Sequence, residues 1–61
     1  MTLQEQLDKQ KTAYNEAVTK FETARRGASS SRDYFVIAMR AEEVAHAANV
    51  LSKTIEEMDK Q

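Results

Sequence analysis

The sequence lacks cysteine and proline, has one glycine, and is only 61 residues long. Without cysteine there are no disulfides and no thiolate metal ligands, and a single histidine makes a structural zinc site unexpected. A chain this short buries only about 60% of the surface that it exposes when unfolded, so it usually needs a further source of stability. With disulfides and metals set aside, we expect association with another chain to supply it.

Long apolar runs are also missing. The longest run, residues 34–39, has six residues, whereas a membrane-spanning helix needs about 20. The first residues, MTLQEQLDKQ, lack the basic start and apolar block of a signal peptide. The net charge of −1 gives no general attraction to nucleic acid or anionic lipid. We therefore expect a soluble, cytoplasmic protein that makes no membrane contact.

What the chain does contain favours helix on both sides of Gly27. Alanine, glutamate, lysine and glutamine are frequent, and all are good helix formers. Thr2 and Glu5 fit a capping box at the start of the first helix, and Ser30 and Asp33 fit another at the second. Gly27 suits the left-handed residue just past a helix end. These features predict one all-α domain, 1–61, with a helix at about 3–26, a turn at 27–30 and a helix at about 31–60.

Apolar and small residues recur at alternating steps of three and four in both helices, as in the seam of a packed helix pair. The first helix has Leu3, Leu7, Gln10, Tyr14, Ala17, Phe21 and Ala24, and the second has Tyr34, Ile37, Ala41, Val44, Ala48, Leu51, Ile55 and Met58. Since a short turn makes the helices antiparallel, we expect large and small layers to alternate, with Phe21 against Ile37, Tyr14 against Val44, Ala17 against Ala41, Leu7 against Leu51 and Leu3 against Ile55. Gln10 is the polar member of this seam. Either it specifies the register, or it reaches solvent near the open end.

The second helix also has apolar residues outside this seam, namely Phe35, Val36 and Met39. A two-helix hairpin has no third layer to cover them, and burying each is worth roughly 1.5–3 kcal/mol. We therefore expect a homodimer that forms a four-helix bundle, with a complex with a different protein as the alternative. The expected dimer or partner interface consists of Tyr34, Phe35, Val36, Ile37, Met39 and Val50.

The charges are unevenly distributed along the chain. Residues 25–40 hold all four arginines and one acid, Asp33, for a net charge of +3, whereas residues 42–61 have a net charge of −3. Arginine pairs bind phosphate or carboxylate, and the neighbouring aromatic side chains can stack on bases. A nucleic acid or an acidic partner is therefore one interpretation of the arginine end, with Arg25, Arg26, Arg32 and Arg40 as contacts. In the other interpretation, Arg25 and Arg26 only oppose the helix dipole and the remaining two are solvated.

Residues that could support chemistry are few. Glu43 and His46 have an E-x-x-H spacing, which in ferritin-like bundles contributes to iron sites, but a metal would need further carboxylates from a neighbour. The sequence shows no nucleophile paired with a base and no glycine-rich phosphate loop. We therefore expect no enzymatic activity, no cofactor and no metal.

The layout resembles that of the Rop family, plasmid-encoded RNA-binding hairpins that dimerise into four-helix bundles. The resemblance rests on chain length, two capped helices, a short turn and alternating layer sizes, and it includes no shared residue motif. It implies, as an alternative function, a nucleic-acid-binding regulator that uses the arginine-rich turn end. From the residues themselves, we expect a small non-enzymatic interaction or regulatory protein that binds a larger protein partner as a homodimer.

Overall fold

A computed structural model describes residues 2–60 of the chain. It contains helix α1, Leu3–Arg26, and helix α2, Ser31–Asp59, with no strand anywhere in the described part. The two helices pack against each other in a hairpin, which forms a rod with dimensions of 48 × 14 × 14 Å. The prediction of an all-α hairpin is therefore confirmed, and both helices begin and end within one residue of the predicted bounds.

Helix α1 begins with half of the expected capping box. The Thr2 hydroxyl oxygen accepts a hydrogen bond from the Glu5 amide at 3.1 Å, and the same hydroxyl donates to the Glu5 carboxylate at 3.1 Å. The carboxylate thus holds the cap side chain in place, whereas we expected it to bond the Thr2 amide.

Helix α1 ends without the left-handed glycine that we predicted. Gly27 has φ −92° and ψ 4°, and its amide still donates to the Thr23 carbonyl at 3.3 Å. The next amide, of Ala28, donates to the Arg25 carbonyl at 3.4 Å, a tighter step of three residues. Helix α1 therefore ends in a tighter turn with a three-residue hydrogen bond, and it needs no left-handed residue. The prediction of a left-handed Gly27 is wrong.

Helix α2 begins with the complete capping box that the sequence predicted. The Ser30 hydroxyl oxygen accepts from the Asp33 amide at 3.4 Å. In return, Oδ2 of Asp33 accepts from the amides of Ser29 and Ser30 at 3.0 and 3.2 Å, and from their hydroxyls at 3.3 and 3.2 Å. These bonds stabilise the charged carboxylate, so they hold the pKa of Asp33 below its ordinary value, with the Ser29 amide as the largest cause.

The seam of α1 agrees with the prediction, whereas the seam of α2 is rotated. All seven predicted seam residues of α1 are half-buried. On α2, however, Ala41 is exposed and Tyr34 and Ile55 are 63% and 45% exposed. The expected layers of Ala17 with Ala41 and of Leu3 with Ile55 therefore each contain an exposed residue. The covered positions on α2 that recur at steps of three and four are instead Ile37, Arg40, Val44, Ala47, Leu51, Thr54 and Met58.

This rotation brings two polar residues, Thr54 and Arg40, into the seam. Both are tolerated there because their side chains have hydrogen-bond partners within α2. Thr54, only 6% exposed, donates its hydroxyl to the Val50 carbonyl of its own helix at 3.4 Å. Arg40 is half-buried, and its guanidinium bonds the exposed Glu43 carboxylate at 2.8 Å, so its charge is paired at the surface.

The hairpin covers its apolar groups incompletely. No hydrophobic residue among positions 2–60 is fully buried, and apart from Thr54 the seam residues keep part of their surface exposed to water. Over the same residues, neither helix has a segment long and apolar enough to cross a bilayer. Two helices therefore leave a substantial part of the chain's apolar surface in contact with water.

Candidate interaction surface on the second helix

The predicted interface residues lie on α2, and most of them are exposed. Phe35 is 71% exposed, Tyr34 63%, Met39 55% and Val36 40%. The other two behave differently, since Ile37 and Val50 are half-buried. The exposed four do not form one patch, because they lie on two different flanks of the helix.

The first flank is an apolar stripe that runs along most of α2, here called the alanine stripe. Its members recur at steps of four and three and include no charged residue; they are Tyr34, Ala38, Ala41, Ala45, Ala48, Ser52 and Ile55. Six of the seven are exposed, and Ala48 is half-buried. The stripe was not predicted as a surface, because the heptad pattern places Tyr34, Ala41, Ala48 and Ile55 in the internal seam.

The second flank carries Phe35, Val36 and Met39, here called the Phe35 patch. At 100° per residue, Phe35 lies about 110° around the helix from the centre of the alanine stripe, and Val36 and Met39 lie about 150° from it. An open surface hollow of about 670 Å³ lies beside the patch and is lined by Val36, Met39, Arg40, Glu42, Glu43 and His46. One flat contact cannot cover both flanks.

The E-x-x-H pair lies in this hollow, on one face of the helix as expected. The Arg40 guanidinium donates to Glu43 at 2.8 Å, and this hydrogen bond holds the pKa of the Glu43 carboxyl below its ordinary value. Within residues 2–60, no three side chains of histidine, aspartate or glutamate are grouped so that they could hold a metal ion.

The arginine cluster at the turn end is partly neutralised by neighbouring acids. Arg25 pairs with Glu22 at 2.9 Å and Arg40 with Glu43 at 2.8 Å, and both acids lie just outside residues 25–40. Including them lowers the net charge of the cluster from +3 to +1. Both pairs are exposed, where such bridges contribute little to stability.

Gln10 introduces a polar atom into the seam. Its Oε1 is enclosed by the protein and has no hydrogen-bond donor within reach among the described residues. Beside it, a hollow of about 210 Å³ is lined by Gln10, Ala13, His46, Ala47 and Val50. The interpretation in which Gln10 reaches solvent is therefore wrong for this oxygen.

No family model matches the chain, and no curated protein or solved structure is significantly similar to it. The features that distinguish this hairpin are thus two apolar flanks on α2, an arginine-rich turn end and an acid-rich open end.

Proposed function

We propose that the chain is a non-enzymatic helical interaction module that acts as a homodimer and binds a larger protein partner. One observation carries the proposal: Tyr34, Phe35, Val36 and Met39 are 40–71% exposed in a hairpin that buries none of its described hydrophobic residues completely. Large exposed apolar side chains on the flanks of a helix are typical of surfaces that bind other chains.

The energetics support association. Full burial of a large apolar side chain is worth roughly 1.5–3 kcal/mol, and the hairpin realises only part of that value for each of these residues. A chain of this size has little stability to spare. A second copy that covers apolar surface would therefore stabilise the folded state, and the degree of folding would depend on chain concentration.

A separate partner is supported by the position of the two flanks. Two hairpins side by side would give the expected four-helix arrangement. Since the alanine stripe and the Phe35 patch lie about 110–150° apart around α2, a contact centred on either one leaves the other in water. The flank that the dimer leaves uncovered is available to a larger protein, which can receive an exposed helix face in an apolar groove.

Sedimentation equilibrium, with helicity measured on the same samples, tests the dimer. We expect a two-chain species at micromolar concentration and a loss of helicity on dilution, because folding and association are coupled. A monomer that keeps full helicity at micromolar concentration would refute the homodimer.

A pull-down from the native cell with mass spectrometry tests the partner. The variant Phe35→Asp should lose the partner, since a charge replaces the most exposed apolar side chain of the patch. Asn49→Asp, which adds a negative charge at another exposed position of α2, should keep it. If Phe35→Asp dissociates the dimer instead, Phe35 lies between the two copies.

The alternative is a nucleic-acid-binding regulator that uses Arg25, Arg26, Arg32 and Arg40. The clustering of all four arginines near the turn favours it, whereas the two ion pairs with glutamates weaken it. A salt titration of RNA or DNA binding is the test, because phosphate contacts give a steep salt dependence. The triple alanine variant of Arg25, Arg26 and Arg32 should abolish binding. Its matched control replaces three cations at the open end, Lys9, Lys53 and Lys60.

A further inference from the structure

We propose that the second copy packs on the alanine stripe, with the two α2 helices antiparallel about a two-fold axis near Ala45. The turn end of each hairpin then lies beside the open end of the other. This inference rests on the homodimer of the proposed function and adds its interface and its orientation.

The form of the stripe suits a helix partner. From Tyr34 to Ile55 it extends for about 32 Å at 1.5 Å per residue, along a rod that is 48 Å long. Its steps of four and three are those of a helix-packing seam. The five central members are alanine or serine, and such small side chains let two helix backbones approach closely.

The stripe is also self-complementary, as a two-fold interface must be. An antiparallel pairing about Ala45 places Tyr34 opposite the partner's Ile55, Ala38 opposite the partner's Ser52 and Ala41 opposite the partner's Ala48. Large side chains therefore meet at both ends of the contact and small ones meet in the middle. Each exposed large residue of the stripe, Tyr34 and Ile55, gains a large apolar neighbour.

Beside the centre of the stripe, the hairpin has an apolar hollow of about 100 Å³ that is lined only by Phe21, Ala41 and Val44. It opens the internal seam to water on this flank. A second helix on the stripe would close it, so that the new interface would be continuous with the existing seam.

Charge complementarity selects the antiparallel orientation. The arginine cluster at the turn end has a net charge of +1, from four arginines against Asp33 and the paired Glu22 and Glu43. The open end has a net charge of −2 over residues 2–10 and 51–60, because its five acids outnumber Lys9, Lys53 and Lys60. Antiparallel packing sets opposite ends side by side, whereas parallel packing sets like ends together. Exposed charges of this kind determine orientation more than affinity.

The proposed interface leaves the far flank of α2 uncovered in the dimer. Arg32, Val36 and Met39 are exposed there, about 150–170° around the helix from the centre of the alanine stripe.

Single cysteines test the interface, because the chain has no cysteine of its own. Ala45→Cys should form a covalent dimer under mild oxidation, since a residue on the two-fold axis meets its own copy within the 4.4–6.8 Å between Cα atoms that a disulfide spans. His46→Cys, the next residue, points away from the stripe and should remain monomeric on a denaturing gel. Equal cross-linking of both would overturn the proposal.

Mixed cysteines test the orientation. Ala38→Cys and Ser52→Cys should each cross-link poorly alone, and an equimolar mixture should give the heterodimer, which mass spectrometry identifies. Efficient cross-linking of Ala38→Cys with itself would show a parallel pair and overturn the antiparallel arrangement.

A charge variant provides an independent measurement. Ala45→Glu keeps high helix propensity but opposes two carboxylates at the axis, so we expect dimerisation to weaken by at least about a hundred-fold. His46→Glu places a carboxylate on the side of α2 that points away from the stripe, and we expect it to weaken dimerisation less than about threefold. If wild type is a dimer and neither Ala45 variant behaves as expected, this interface is wrong and the proposed function still stands. If wild type is a monomer by sedimentation, the homodimer itself is refuted.

Discussion

We expect the substitution Gln10→Met to raise the free energy of unfolding by about 1–2 kcal/mol. Gln10 is half-buried in the α1 seam, and its Oε1 is enclosed without a donor. A buried acceptor that has lost its water costs about 1–3 kcal/mol when nothing replaces the lost hydrogen bond. Methionine has nearly the same length and helix propensity, so the substitution removes the unpaired oxygen without a large change in shape. Because the residue is only half-buried, we take the lower part of that range.

The assay is thermal unfolding followed by circular dichroism at one fixed chain concentration, since association shifts the midpoint. For a domain of this size, 1–2 kcal/mol corresponds to an increase in Tm of about 4–16 °C. The matched control is Gln4→Met. Gln4 is exposed and donates its amide to Asp8 at 3.1 Å, so its replacement should change stability by no more than about 0.5 kcal/mol.

A Gln10→Met variant that is no more stable than Gln4→Met would refute the reasoning, because it would show that Oε1 is hydrogen-bonded in solution. The same variant bears on the interpretation of Gln10 as a register residue. Polar seam residues fix register and oligomeric state at some cost in stability. If Gln10 has that role, the methionine variant should be more stable but should sediment as a mixture of species.

Two further predictions concern the turn. Gly27→Ala should stabilise the hairpin by about 0.4–1 kcal/mol, because alanine makes the unfolded chain less flexible. The folded chain accepts the change, since φ is −92° and an added Cβ would meet only the Thr23 carbonyl oxygen, at 3.8 Å. A lower free energy of unfolding in urea would contradict this prediction. The pKa of Asp33 is lower in the folded state than in the unfolded chain. The ionised carboxylate therefore stabilises the fold fully above its unfolded pKa, and this stabilisation is lost as the pH falls through its folded pKa. The start of α2 should therefore fray on acidification below about pH 4, and an NMR titration that gives Asp33 an ordinary or raised pKa would contradict the assignment.

The local features of this chain were predictable from sequence because they depend on neighbours in the chain. The Ser30–Asp33 capping box needs only residues three apart, and the structure contains both of its bonds. The α1 seam was also predictable. The positions of α1 outside the seam are mostly polar, so only one face of the helix can form an apolar seam. Gly27 was mispredicted because glycine permits a left-handed residue without requiring it.

The phase of the α2 seam could not be predicted from hydrophobicity alone. Ile37, Val44, Leu51 and Met58 are compatible with two seams, one completed by Tyr34, Ala41, Ala48 and Ile55 and the other by Arg40, Ala47 and Thr54. Apolar character favours the first, and the structure has the second. The second seam is compatible with its polar members because the Thr54 hydroxyl bonds Val50 and the Arg40 charge pairs with Glu43, which hydrophobicity does not report.

The rotated seam leads to a last prediction, on the double variant Tyr34→Lys/Ile55→Lys. An isolated hairpin would gain more from covering Tyr34 and Ile55 than from covering Thr54 and Arg40, so their exposure is understandable if another helix covers them. In that case the double variant should unfold at a lower Tm, and that Tm should no longer depend on concentration. Phe35→Lys/Met39→Lys adds the same charge and removes two large side chains from the opposite flank, and it should keep that dependence. If the two double variants behave alike, the alanine stripe has no special role in association, and the rotation of α2 is a property of the hairpin alone.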